Sequence, residues 1–153
     1  MIANLAISFL MMSSLLFDVN LKNVDESYLN NSVVIIIDGI YCKDCFTSLI
    51  DIRHIWKENY KTIVLVKIIK GKENARRYRS TLRNYKIDSL LFFEQETYSK
   101  FPLYKFDKYE FSKSPSVLIF KDNAIEQVNY DDMFSSRIDT NAIKKVMLKK
   151  LKK

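Results

Sequence analysis

Val33, Val34, Ile35, Ile36 and Ile37 follow one another without a polar break, and this run constrains the fold more than any other part of the chain. Side chains branched at Cβ are stiff at χ1 and suit an extended backbone. Successive side chains of a strand point to opposite faces, so such a run has no polar face to turn to water. Residues 32–40 are therefore expected to form a central strand buried on both sides, in a sheet with packed material above and below it. Residues 62–69 form a second β-branched run and residues 90–93 a third, shorter strand.

Between these strands the period changes. In residues 43–60, Cys45, Leu49, Ile52 and Trp56 fall at spacings of four, three and four, which places them on one face of a helix. Residues 72–85 are polar except for Ala75, Tyr78 and Leu82 at helical spacing, and predict a second helix. Residues 94–111 are aromatic-rich and irregular, with Pro102 inside them, and read as a long loop. Strands at 116–120 and 124–128, joined through Lys121, Asp122 and Asn123, make a hairpin signal. Residues 141–153 close the chain as a helix with Ile143, Val146, Met147 and Leu151 in one stripe. Alternating strands and helices followed by a hairpin imply an α/β fold, a mixed sheet sandwiched by helices.

With 153 residues and 48% hydrophobic content, the chain has material for one domain and one core. The formal charge of +7 favours anionic surfaces in a general way. With no zinc finger, RNP strand or Gly-rich phosphate loop, nucleic acid is not expected as a partner. Residues 2–17 are mostly apolar and have the length of a signal-peptide core, without preceding basic residues. Residues 1–25 are accordingly read as a signal or N-terminal anchor segment able to tether the protein to a membrane, and residues 26–153 as the folded domain. The cell envelope or periplasm is the expected compartment, with the cytoplasm as the alternative.

The chain has two cysteines, in the sequence Cys42-Lys43-Asp44-Cys45 at the junction between the first long strand and its helix. At a helix N-terminus, unpaired N–H groups and the aligned peptide dipoles favour a negative sulfur. A free thiol near pKa ~8.5 is only a few per cent ionised at neutral pH, whereas one near ~7 is half ionised. Cys42 is thus the expected attacking thiolate, and Cys45 the sulfur that resolves a mixed disulfide. A purely structural disulfide would close a four-residue loop, which chain entropy values at only about 2 kcal/mol. Structural zinc requires four ligands, and His54 with the two cysteines leaves the set incomplete, so no metal is assigned. Inert core thiols fit less well with the strand-to-helix position.

The order strand, CxxC, helix, strand, and then Ser114-Pro115 before a hairpin resembles the thioredoxin superfamily over almost the whole chain after the N-terminal segment. The extra helix and strand between the CxxC and Pro115 resemble the central insertion of the TlpA-like envelope oxidoreductases. The resemblance implies a thioredoxin-like mixed β-sheet flanked by helices and a cis-proline at Pro115. It also implies a substrate platform formed by Tyr41, Ser114 and Pro115, on which the backbone of Ser114 pairs with an extended segment of a partner. Tyr41 stands where the family usually has Trp, and Lys43-Asp44 replaces its usual dipeptides, so redox poise does not transfer. Gly39 stands where peroxiredoxins carry a threonine, which counts against peroxidase chemistry.

The function expected is thiol-disulfide exchange with protein thiols or disulfides and a redox partner protein, by a monomer that needs no bound cofactor. Asp38, four residues before Cys42, is a candidate for proton transfer if buried. The alternative is a non-catalytic binding module that uses the same fold to dock a protein partner. His54 lies too far along its helix to serve Cys42 as a base. The aromatics from Phe92 to Phe111 suit packing better than a partner groove, and the terminal lysines suit a solvated helix face better than lipid.

Overall fold

The computed structural model describes residues 16–39, 41–68, 74–94, 104–106, 108–122, 124–135 and 137–152. Its main sheet contains β1 (Leu16–Phe17), β2 (Asn23–Val24), β3 (Ser32–Ile37), β4 (Lys61–Ile68), β5 (Ser89–Glu94), β8 (Ser116–Phe120) and β9 (Ile125–Val128). They lie in the order β2-β1-β5-β4-β3-β8-β9. β3, β4 and β5 are parallel, with Ile35 opposite Val64 and Val64 opposite Leu90. β8 runs antiparallel to β3, and β9 antiparallel to β8. β6 (Tyr104–Phe106) and β7 (Tyr109–Phe111) form a separate two-stranded hairpin.

The run from Val33 to Ile37 occupies the middle of this sheet, and every residue of β3 is buried. Its alternation divides the core in two. Val33, Ile35 and Ile37 join Cys45, Phe46, Leu49, Leu82, Ile143 and Met147. Those partners come from the helical layer: α1 (Lys43–Asp51), α2 (Asn74–Leu82), α3 (Tyr130–Met133) and α4 (Thr140–Lys152). Val34 and Ile36 face the other way, onto Leu29, Phe93, Phe106, Phe111 and Leu118. The expectation of helices on both sides is thus modified. Among the described residues, the second face is covered by a 3-10 turn at Glu26–Leu29 and by the β6–β7 hairpin. The expected long loop over 94–111 therefore holds a hairpin whose Phe106 and Phe111 are core residues; residues 95–103 of that stretch lie outside the described residues.

The sheet also takes in residues ahead of position 26, because Leu16 and Phe17 pair with Phe93 and Phe92 and are buried. Residues 1–15, on which most of the expected export or anchor segment falls, lie outside the described residues. No described helix is long and apolar enough to cross a membrane.

The first helix is shorter than its period suggests. α1 ends at Asp51, and Arg53–Ile55 tightens into a 3-10 turn that drops Trp56 beneath the start of β4. There the buried indole Nε1–H donates to Thr62 Oγ1 at 2.9 Å. The apolar stripe is satisfied by either geometry, and the indole's need for a buried acceptor selects the turn. Trp56→Phe keeps the apolar body but removes that donor. It is expected to cost about 1 kcal/mol in chemical denaturation, the usual net worth of one buried hydrogen bond. An unchanged midpoint would show that the bond contributes nothing.

Candidate active site around Cys42 and Cys45

Cys42 sits at the N-cap of α1 with extended dihedrals (φ −71°, ψ 105°). Its carbonyl accepts from Phe46 N–H at 3.0 Å, and its sulfur accepts from Cys45 N–H at 3.2 Å. Helix capping is normally done by a side-chain oxygen; here a sulfur takes that place, aimed at the positive end of the helix. The two cysteines are joined in a disulfide, with their Cα atoms 5.3 Å apart. Their burial differs: Cys42 is half-buried, whereas Cys45 is 2% exposed and packs in the core with Phe46 and Leu49.

The chain reaches this pair again 72 residues after Cys42, at Ser114. The Ser114 carbonyl accepts from Cys42 N–H at 3.1 Å, and its Oγ accepts from Asp38 N–H at 3.4 Å. The Ser114–Pro115 peptide bond is cis. Asp38, Cys42, Ser114 and Pro115 are thereby brought together, as an edge between the end of β3 and the approach to β8. Tyr41 lies beside them, half-buried and edge-on to Phe46 with ring centroids 5.7 Å apart. Burial, and secondarily the neighbouring Tyr85, hold the Tyr41 phenol above its ordinary pKa, so it stays neutral at physiological pH.

Asp38 is 2% exposed. It continues β3 by one residue, and Ile37 lies opposite Val66, so Asp38 falls beside Lys67 of β4. Lys67 is likewise 2% exposed. Burial pushes its pKa below the ordinary lysine value, while the negative Asp38 draws it back up. Alternation along the strands sets both side chains on the hairpin side of the sheet, opposite α1. Lys67 was not among the residues singled out from the sequence. Its signal was there, since a lysine inside an otherwise apolar buried strand requires a counter-charge.

A further side chain reaches the sulfurs from α3. Tyr130 is half-buried, and its hydroxyl lies 3.5 Å from Cys45 Sγ. Its ring packs on Phe134 at 4.9 Å, with Lys113 Nζ 5.2 Å from the ring centroid. Lys113 Nζ also contacts Asp131 Oδ1 at 2.5 Å, and this carboxylate raises the lysine's pKa. α3 was not read from the sequence, although Asn129 followed by Tyr-Asp-Asp-Met has the form of a helix start with acidic residues in its first turn.

Neither His54 nor the aromatics between Phe92 and Phe111 belong to this constellation. His54 Nδ1 lies 3.3 Å from the Asp51 carbonyl on the 3-10 turn. Phe92, Phe93, Phe106 and Phe111 are buried, whereas Tyr98 and Phe101 lie outside the described residues. Among the described residues, no group of three or more His, Cys, Asp or Glu side chains is arranged to hold a metal ion.

No family profile and no curated protein sequence matches the chain. Its structure is similar to copper-bound ScoI of Arabidopsis thaliana, with 12% identity, a TM-score of 0.54, and 93% of this chain and 98% of that one covered. It is also similar to a secreted Mycobacterium tuberculosis disulfide oxidoreductase homologous to E. coli DsbE, with 8% identity, a TM-score of 0.51, and 91% and 96% covered. At such identities the likeness is one of fold. Together with a mixed sheet centred on β3 and a CxxC disulfide at the first turn of the following helix, it shows that the chain has a thioredoxin-like fold.

Proposed function

We propose that the protein is a thiol-disulfide oxidoreductase that exchanges disulfides with protein thiols through Cys42 and Cys45. The observation that carries this reading is the asymmetry of the pair: a half-exposed sulfur capping a helix N-terminus is bonded to a buried one. The positive helix end favours a thiolate on Cys42, and only Cys42 is open to a partner. In the reducing direction, the Cys42 thiolate attacks one sulfur of a partner disulfide. The Cys42–partner bond forms, the partner's own S–S bond breaks, and its other sulfur leaves as a thiolate and takes a proton. Cys45 then loses its proton and attacks the Cys42 sulfur. The Cys42–Cys45 bond forms, the mixed disulfide breaks, the partner's remaining sulfur leaves as a thiolate and takes a proton, and two electrons have passed to the partner. The reverse sequence oxidises a partner dithiol.

In this reading Tyr41, Ser114 and Pro115 form the platform against which an extended partner segment lies, a form of strand addition. The backbone N–H of Asp38 donates to Ser114 Oγ and helps to fix this platform; its carboxylate lies on the sheet face opposite α1, so the proton released by Cys45 in the resolving step is assigned to water and not to Asp38. The cell envelope is the compartment we favour, on the strength of the apolar sequence ahead of β1. The plant ScoI of similar fold holds copper; among the described residues of this chain no group of three or more His, Cys, Asp or Glu side chains is arranged around the two sulfurs, and no step is routed through copper.

Reduction of insulin disulfides, followed by turbidity in the presence of dithiothreitol, tests the reading. The protein is expected to accelerate the reaction well above dithiothreitol alone. A rate no faster than that of Cys42→Ser would overturn the proposal and favour a docking module that keeps the fold without the chemistry.

A further inference from the structure

We infer that Tyr130 is a second catalytic group of this site, its phenol hydroxyl serving the sulfur of Cys45 as a hydrogen-bond donor and thereby stabilising the thiolate that resolves the mixed disulfide. The inference rests on the thiol-exchange reading and adds to it a residue that neither the CxxC pattern nor the platform contains.

Chemistry settles the direction of the bond. In the disulfide, Cys45 carries no proton, so across the 3.5 Å between Sγ and the hydroxyl the phenol donates. A disulfide sulfur is a weak acceptor and a thiolate a strong one, so the same contact strengthens when the bond opens. Cys45 needs such help more than Cys42. It is 2% exposed, burial in apolar surroundings opposes its ionisation, and the N-terminal N–H of α1 that reaches the pair is aimed at the sulfur of Cys42.

The hydroxyl is also held in place. The Tyr130 ring packs on Phe134, and the Lys113–Asp131 ion pair ties the first turn of α3 to the residue just ahead of Ser114. Other charges around the site are Lys43 and Asp44 on α1 itself, Lys113 and Asp131 on the α3 side, and Asp38 with Lys67 behind Ser114. Among the described residues, Tyr130 brings a side-chain hydroxyl to Cys45 Sγ. In the resolving step the phenol keeps its proton throughout. It stabilises the Cys45 thiolate before attack, and the contact weakens as that sulfur's lone pair becomes the new S–S bond.

Two measurements on Tyr130→Phe, which keeps the ring and its packing, test the inference. In a Cys42→Ser background, iodoacetamide alkylation of Cys45 is followed against pH; without the hydroxyl the profile is expected to move to higher pH by about one unit, a tenfold loss of thiolate at neutral pH. In the chain with both cysteines, equilibration against glutathione at a pH alkaline enough to ionise both thiols is expected to shift about tenfold toward the disulfide, because the Cys45 thiolate alone loses a strong bond. Profiles and equilibria that coincide with those of the Tyr130 protein would overturn the role. The alkylation profile needs no exchange activity, so a protein that shows the shift yet fails to reduce insulin would refute the proposed function while leaving the Tyr130–Cys45 contact established.

Discussion

Reduced Cys45→Ser protein, mixed with a disulfide-bonded substrate, is expected to accumulate as a covalent adduct through Cys42. The second half of exchange is an intramolecular attack by a sulfur already positioned at its target, and such positioning is worth many orders of magnitude over an external thiol. Removing Cys45 should lengthen the life of the mixed disulfide by more than about a hundredfold, taking only a small part of that advantage. Alkylation quenching, a non-reducing gel and mass spectrometry of the adduct would locate the bond on Cys42. The reciprocal Cys42→Ser protein should form little adduct, because Cys45 is 2% exposed and a buried sulfur meets a bulky disulfide poorly. Equal trapping by both variants would reverse or abolish the assignment of attacking and resolving roles.

The second large effect concerns stability. Asp38 and Lys67 are each 2% exposed, and Asp38→Ala removes the negative charge that draws the pKa of the buried Lys67 back up. Withdrawing a favourable charge from beside a buried ammonium is expected to cost about 1–3 kcal/mol, which for a chain of this size lowers Tm by roughly 3–10 °C. The double change Asp38→Val with Lys67→Met should recover most of that loss, since the desolvation of both charges is relieved together. The pH dependence has a definite sign. Lys67 is held below its ordinary value of 10.5, chiefly by burial, so its charged form is disfavoured in the folded protein relative to the unfolded chain. That penalty is fully present below the folded-state pKa and lifts as pH rises toward 10.5. Urea midpoints should therefore rise with alkaline pH relative to Lys67→Met. In Asp38→Ala the rise should begin at lower pH, because the carboxylate that drew the lysine back up is gone. A midpoint for Asp38→Ala equal to that of the unmodified protein would show that the pair carries no stability.

Much of this was legible from residues 32–52 alone. The run Val33–Ile37 could only be a central strand, and the CxxC could only fall near the start of the helix that follows, because alternation and helical period are properties of neighbouring residues. The hairpin of β8 and β9 was equally plain from its turn. The reading went astray where local patterns permit more than one geometry: the stripe over 43–60 contains both α1 and the 3-10 turn, and an aromatic segment read as a loop holds β6 and β7. α3, four residues long, is too short for any period to declare itself.

From its sequence alone the chain determined a buried parallel core, a thiol pair at a strand-to-helix junction, and the likeness of that order to thioredoxin-like proteins. Tertiary structure alone decided which cysteine faces solvent, that Ser114 accepts from Cys42 N–H, that Lys67 lies beside Asp38, and that Tyr130 reaches Cys45 from 85 residues away. The physical reason is that periodicity records which face of an element is buried. The partner met on that face is set by strand register and helix packing, which depend on the whole fold at once.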